Sequence, residues 1–165
     1  MTLDIIRNWR DIEAETTSYP GTDEKHAVCA SFAMHFGLRR LGIHHERLPP
    51  GRRLAWPHAE ADEEEFVIVL EGEPDLWVDG RLYRLKEGDG VGFVPGTGLA
   101  HTFLNNTDRD VRVLVVGEAS RQSSRVHYPM HPHRNAEIGD RWWKDVPHRE
   151  RGTHDGVPDA QRSKR

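Results

Sequence analysis

The feature that most constrains this chain is a series of short apolar runs, separated by turn signals, between residues 37 and 119. Two of the clearest runs, residues 66–70 and 111–116, are rich in β-branched side chains. Turn signals recur roughly every 8–12 residues, and the region offers no good candidate for a long helix. This pattern predicts an all-β fold, either a sandwich or a barrel.

A two-residue hairpin is the most specific local signal. Asp79-Gly80 stands between two short strand-like runs, and this dipeptide favours a type I′ turn because both of its positions need positive φ. The hairpin strands are predicted over residues 76–78 and 81–83. Further strands are predicted over residues 38–48, 65–70, 91–95, 101–105 and 111–116.

The chain has 165 residues, which fits a single domain. Trp142 and Trp143 are predicted to pack their indoles on the barrel. From about His148 the sequence is charged and nearly free of apolar residues, which predicts mobility. The predicted organisation is an N-terminal arm over 1–36 with a turn at Pro20-Gly21, a barrel over 37–119, a packed extension over 120–149 and an irregular, mobile tail over 150–165.

Charge and cysteine content argue against several classes of function. The chain has 23 Lys and Arg residues, 27 Asp and Glu residues and a net charge of −4, which gives no electrostatic case for nucleic acid or an anionic membrane. No run approaches the ~18 apolar residues of a membrane span, and residues 1–10 contain no apolar secretion segment. The single cysteine, Cys29, cannot form an internal disulfide, and we interpret it as a small core or surface residue. The expected location is cytoplasmic.

Four ionisable side chains carry the candidate chemistry: His58, Glu60, Glu65 and His101. His58 and Glu60 are two residues apart and share one face of an extended chain, while Glu65 and His101 each begin another predicted strand. If these faces look into one barrel, two imidazoles and two carboxylates converge. Because uncompensated buried carboxylates are very costly, a divalent cation is the simplest compensation.

The spacing of these residues resembles the two sequence motifs of the cupin family. The first motif is matched by Gly51, His58, Glu60, Glu65 and Gly72. The second is matched by Gly88, Asp89, Gly98, His101 and Asn105. Fifteen residues separate the two motifs, as in compact bacterial cupins, and the resemblance covers about residues 40–117. It implies a double-stranded β-helix, which is a jelly-roll-like barrel.

The resemblance also implies a metal site. His58, Glu65 and His101 match the family's ligand positions in both place and type, whereas Glu60 stands where the family has a histidine. Glu60 is therefore either a fourth ligand or a base that bonds a metal-bound water. This oxygen-rich donor set suits Mn²⁺, Fe²⁺, Ni²⁺ or Zn²⁺.

The sequence of residues 41–51 and the Trp142-Trp143 pair resemble a bacterial cupin subgroup labelled as sugar-phosphate isomerases. That likeness implies a metal-dependent isomerase of a small polar metabolite. An iron-dependent dioxygenase and a non-catalytic ligand-binding cupin are the alternatives. The candidate phosphate partners are Arg47, Arg52, Arg53 and Lys86, although the sequence favours a surface charge for each of them. We also expect a homodimer, in which residues 1–36 and the two tryptophans could cover sheet edges in trans.

Overall fold

The computed structural model describes residues 5–19, 21–119 and 121–162, so the predicted turn at Pro20 and the last three residues of the predicted tail lie outside it. The strands are β1 (Ala14–Glu15), β2 (Val28–Ser31), β3 (Leu41–Leu48), β4 (Ala59–Glu60), β5 (Glu65–Glu71), β6 (Asp75–Val78), β7 (Arg81–Arg84), β8 (Gly90–Phe93), β9 (His101–Leu104), β10 (Val111–Glu118) and β11 (Val126–His127). The short helices are α1 (Trp9–Ile12), α2 (Phe32–Phe36), α3 (Pro132–Glu137) and α4 (Asp159–Arg162), with a 3-10 turn at Gly139–Arg141. No helix in these described ranges is long and apolar enough to cross a bilayer.

The larger sheet has the strand order β1, β2, β3, β10, β5 and β8, and neighbouring strands are antiparallel. Alternation along the strands gives this sheet two different faces. Val113 and Val115 of β10 pair with Val69 and Val67 of β5, and all four side chains are buried. The opposite face carries exposed apolar residues such as Phe66.

The smaller sheet has the order β7, β6 and β9, and β4 pairs separately with β11. The predicted hairpin between β6 and β7 is confirmed, since Asp79 and Gly80 both have positive φ, at 43° and 79°. On β6 and β9, Leu76 and Phe103 are paired and face the larger sheet, where they join its valines in one core. The predicted all-β, jelly-roll-like barrel is thus confirmed, with its main core between the two sheets.

The N-terminal segment completes the larger sheet of its own chain. β2 pairs with β3 along residues 28–31, and Trp9 of α1 stacks on His45 with ring centroids 4.2 Å apart. The sequence predicts an arm that could cover sheet edges in trans. The structure instead shows strands β1 and β2 extending the sheet in cis. Val28 and Ala30 of β2 are buried within the same chain, and this burial favours the cis arrangement.

The C-terminal segment covers the outer face of the smaller sheet. Trp143 is buried against Trp77 and Leu104, as expected for a packed indole. Beyond it, the carbonyl of His154 accepts a 2.8 Å hydrogen bond from the Trp77 indole, and Val157 is buried. The boundaries of the four predicted segments remain predictions. The described part of the expected mobile tail, however, packs on the barrel, because it satisfies a buried indole N–H that the sequence does not reveal.

Candidate metal centre

His58 and His101 are brought side by side by the backbone. Each residue's amide N–H donates to the other's carbonyl, at 3.2 Å and 2.9 Å, so the chain before β4 is tied to the start of β9. The two imidazole centroids are 5.1 Å apart. Residues that are 43 positions apart in sequence therefore present their rings to the same part of the barrel interior.

Both imidazoles are oriented through their Nδ1 atoms. Nδ1 of His58 lies 2.7 Å from the carbonyl of Trp56, and Nδ1 of His101 lies 3.3 Å from the carbonyl of Leu99. A carbonyl can only accept, so each Nδ1 carries a proton, and in the neutral ring each Nε2 then presents a lone pair. Metal-ligating histidines in proteins are fixed in this way.

Glu65 approaches His101 from the opposite sheet. Its Oε1 atom lies 3.1 Å from Nε2 of His101, and the His101 ring is held by stacking on Phe93 with centroids 3.4 Å apart. Burial raises the pKa of Glu65, but His101, His58 and His44 more than offset that effect, so the pKa lies below its ordinary value. A lone pair and a carboxylate facing each other at this distance need a proton or a cation between them.

Glu60 stands slightly apart from the other three predicted residues. Its Oε1 atom is 3.8 Å from Nε2 of His58. Burial, together with the nearby charges of Glu63 and Glu65, raises the pKa of Glu60 to about 8, while Arg141 acts in the opposite direction. The structure thus places Glu60 beside His58, although Glu60 is not among the residues that line the cavity described below.

An interior cavity of about 240 Å³ connects the site to two residues that the four-residue prediction does not include. Its ionisable lining residues are His44, Glu46, His58, Glu65 and His101. The sequence analysis missed Glu46 because it lies on the predicted strand over 38–48, outside both motifs. Strand alternation could have identified it, since Leu48, two residues on, is fully buried in the core.

The charge inside this cavity is unbalanced. Glu46 and Glu65 line it, and its described lining includes no Lys or Arg. Burial and the neighbouring His101 lower the pKa of His58 to about 4, so this imidazole is neutral near pH 7. Buried carboxylates whose nitrogen partners are imidazoles rather than Lys or Arg fit a bound cation, and neutral imidazoles with carboxylates are a donor set for a divalent metal.

The three arginines proposed as phosphate partners are engaged elsewhere. Arg53 is 1% exposed, and its guanidinium donates two 2.6 Å hydrogen bonds to Glu24 and one of 2.7 Å to the carbonyl of Gly156. The structure thus identifies Arg53 as part of a buried ion pair, and its side chain is not available to a substrate in the cavity.

Arg47 and Arg52 are also paired with carboxylates. Arg47 contacts Glu13 at 2.7 Å, and Arg52 contacts Glu15 at 2.9 Å. Lys86 is exposed and lines a separate surface depression of about 480 Å³ beside Glu87. None of these side chains lines the cavity that holds the histidines.

The fold and the site together define a class of protein. It is the class of antiparallel, double-stranded β-helix barrels that carry a cluster of histidines and carboxylates inside. A family model described as the cupin domain matches residues 44–117, which span β3 to β10. Residues 44–117 thus match the cupin family, as the sequence motifs predict.

Two solved structures are similar to this chain over most of its length. The sugar phosphate isomerase from Silicibacter pomeroyi is 28% identical, with a TM-score of 0.64 over 70% of this chain and 75% of that one. A protein from Acidithiobacillus ferrooxidans, provisionally described as a sugar phosphate isomerase, is 27% identical, with a TM-score of 0.69 over 78% of this chain and 83% of that one. The polyketide cyclase from Streptomyces resistomycificus, at 21% identity and a TM-score of 0.61 over 82% and 94% of the chains, shows the shared fold alone. Among curated proteins, none matches this chain.

Proposed function

We propose that this protein is a metal-dependent isomerase of a small sugar-type metabolite. The observation that carries the proposal is the pairing of His101 with Glu65 beside His58, inside a cavity whose described lining has no Lys or Arg. The two similar structures described as sugar phosphate isomerases support the reaction class. The small cavity volume, about 240 Å³, suits a small metabolite.

His58, Glu65 and His101 would hold the divalent metal, which is Mn²⁺, Fe²⁺, Ni²⁺ or Zn²⁺. When bound, the metal supplies Lewis acidity that polarises a carbonyl or hydroxyl of the substrate. The Nδ1 anchors of the two imidazoles fix the directions of their lone pairs, and the Phe93 stack prevents the His101 ring from turning. Glu60 would be either a fourth ligand or the base.

In the base role, the Glu60 carboxylate takes the proton from the carbon next to the substrate carbonyl. It then returns that proton to the former carbonyl carbon, while the hydroxyl proton passes to the carbonyl oxygen. The aldose thereby becomes a ketose without gain or loss of atoms. General-base catalysis of this kind contributes about 10²–10⁴-fold to the rate.

Arg47, Arg52 and Arg53 are paired with carboxylates, so the proposal does not require a phosphate group on the substrate. Phosphorylated and unphosphorylated aldoses should therefore be compared directly, with NMR detection of the ketose and with protein loaded with each metal. Ketose formation that is lost in Glu65→Gln supports the proposal, and the preferred substrate decides whether phosphate matters.

The same samples test the two alternatives. Oxygen consumption by the iron-loaded protein without ketose formation would indicate a dioxygenase. Ligand binding by calorimetry, without turnover in any metal form, would indicate a non-catalytic binding cupin. Either result would overturn the isomerase proposal.

We further propose that the protein is a homodimer and that it is cytoplasmic. Support for the dimer comes from the outer face of the larger sheet, where Leu41, Phe66, Leu70 and Val94 are between 41% and 66% exposed. Contiguous exposed apolar side chains of this kind are typical of association surfaces. Part of this face forms a groove of about 430 Å³ that a second copy of the chain would cover.

A further inference from the structure

A second group of metal-ligating side chains lies on the inner face of β2 and β3. Cys29 of β2 stands directly opposite Glu46 of β3, and His44 is two residues before Glu46 on the same face. In the described part of the chain, these three form the only group of at least three His, Cys, Asp or Glu residues whose ligand atoms all lie within 4.8 Å of one another.

The internal contacts of this cluster leave one ligand atom unsatisfied. Sγ of Cys29 is 3.4 Å from Nδ1 of His44, which is a weak hydrogen bond at most. Oε2 of Glu46 is buried and has no hydrogen-bond partner among the described residues. Leaving a buried carboxylate oxygen unpaired is costly, whereas a cation placed between the three side chains would satisfy it.

We propose that Cys29, His44 and Glu46 form a second site, distinct from the His58 site, for a thiophilic divalent metal of the Zn²⁺ class. A thiolate and a carboxylate cancel a charge of 2+, and a neutral imidazole completes three protein ligands. Three ligands leave one coordination position open for water or a small ligand.

The cluster also has a route of entry. Cys29 lines a surface groove of about 480 Å³ formed with β1 and α2, whereas His44 and Glu46 line the interior cavity. A metal can therefore reach the thiol from the groove without passing the His58 site. His44 and Glu46 line the same cavity as His58, so the second site would lie beside the space proposed for the substrate.

The single cysteine makes the proposal directly testable, because any thiolate-to-metal signal in this chain must come from Cys29. Cobalt should be titrated into the full-length, metal-free protein while the near-ultraviolet thiolate-to-cobalt charge-transfer band is followed. We expect a saturable band that is complete at no more than two cobalt ions per chain, since the His58 site also takes a divalent metal, and that zinc displaces. The band should vanish in Cys29→Ser. In His44→Gln and in Glu46→Gln the apparent affinity should fall by at least the ~10–100-fold typical of disturbed metal support.

Two control variants separate this site from adventitious binding and from the His58 site. His35 lines the same groove as Cys29, and His35→Gln should keep the band unchanged. Glu65→Gln should also keep it, so that failure of the proposed isomerase site and failure of this site are distinguished. The proposal is overturned if no band forms, or if the band survives both His44→Gln and Glu46→Gln at unchanged affinity.

Discussion

Nε2 of His101 lies 3.1 Å from Oε1 of Glu65, although the two residues belong to strands of different sheets. This contact joins the two walls of the barrel at one polar point. The proton on Nδ1 of His101 is directed to a backbone carbonyl, which leaves Nε2, a lone-pair donor in the neutral ring, facing a carboxylate. The pair is thus arranged for a cation between the two side chains, and the first prediction concerns its removal.

We expect His101→Ala to abolish uptake of Mn²⁺, a hard metal that the Cys29 cluster disfavours. Glu65→Gln preserves shape and should have the same effect without leaving a cavity. Metal content by elemental analysis and far-ultraviolet circular dichroism are the measurements, and the β-rich spectrum should persist. His148→Ala is the control, because His148 is exposed and outside the cavity. Full Mn²⁺ content in both His101→Ala and Glu65→Gln would refute the assigned ligands.

Glu60→Gln separates the two roles proposed for Glu60. If Glu60 is a ligand, metal affinity should fall by at least ~10–100-fold, since an anionic donor is lost. If Glu60 is the base, metal content should stay near normal while turnover falls by ~10²–10⁴-fold. Glu64→Gln removes the same charge from an exposed neighbour and should change neither quantity. Normal affinity and normal turnover in Glu60→Gln would show that Glu60 has neither role.

Arg53→Ala should destabilise the protein by about 3–5 kcal/mol, because it leaves Glu24 without its partner inside the structure. The exposed pair of Arg52 and Glu15 provides the control, and Arg52→Ala should cost no more than ~1 kcal/mol. Urea unfolding monitored by tryptophan fluorescence measures both changes. Equal effects of the two substitutions would contradict the buried role of Arg53.

The same buried pair predicts a dependence of stability on pH. Burial raises the pKa of Glu24, but hydrogen bonds and charge from Arg53 more than offset this and hold the pKa below its ordinary value of 4.5. The stabilising contribution is therefore complete above pH 4.5 and is lost as the pH falls through the lowered pKa of the folded state. In Glu24→Gln the acid-induced loss of stability should be smaller than in the parent protein.

Phe66→Glu should convert the proposed dimer into a monomer. The phenyl ring is 45% exposed on the outer face of the larger sheet, and a charge there would be buried by a second copy. Loss of a central aromatic anchor typically weakens association by roughly 30-fold or more. Light scattering at micromolar concentration measures the mass, and Tyr83→Glu on the smaller sheet is the control. A parent protein that is already monomeric would end the proposal.

The elements with local signals could be predicted from the amino-acid sequence. Asp79-Gly80 specifies its turn because both residues must adopt positive φ, and the alternation in β5 and β10 assigns their valines to the core. The resemblance to the cupin motifs predicted that His58 and His101 would lie together, and strand alternation shows which side chains of each strand share their faces.

Contacts between distant residues depend instead on how the strands and termini pack. Cys29 and Glu46 become neighbours because the register of the β2–β3 pair places them opposite each other. No local pattern in residues 28–31 predicts that pairing. The sequence likewise does not show that Arg53 is buried, because its partner Glu24 and the covering Gly156 come from opposite ends of the chain. Burial and pairing are properties of packed surfaces, and a local sequence window contains only one side of each contact.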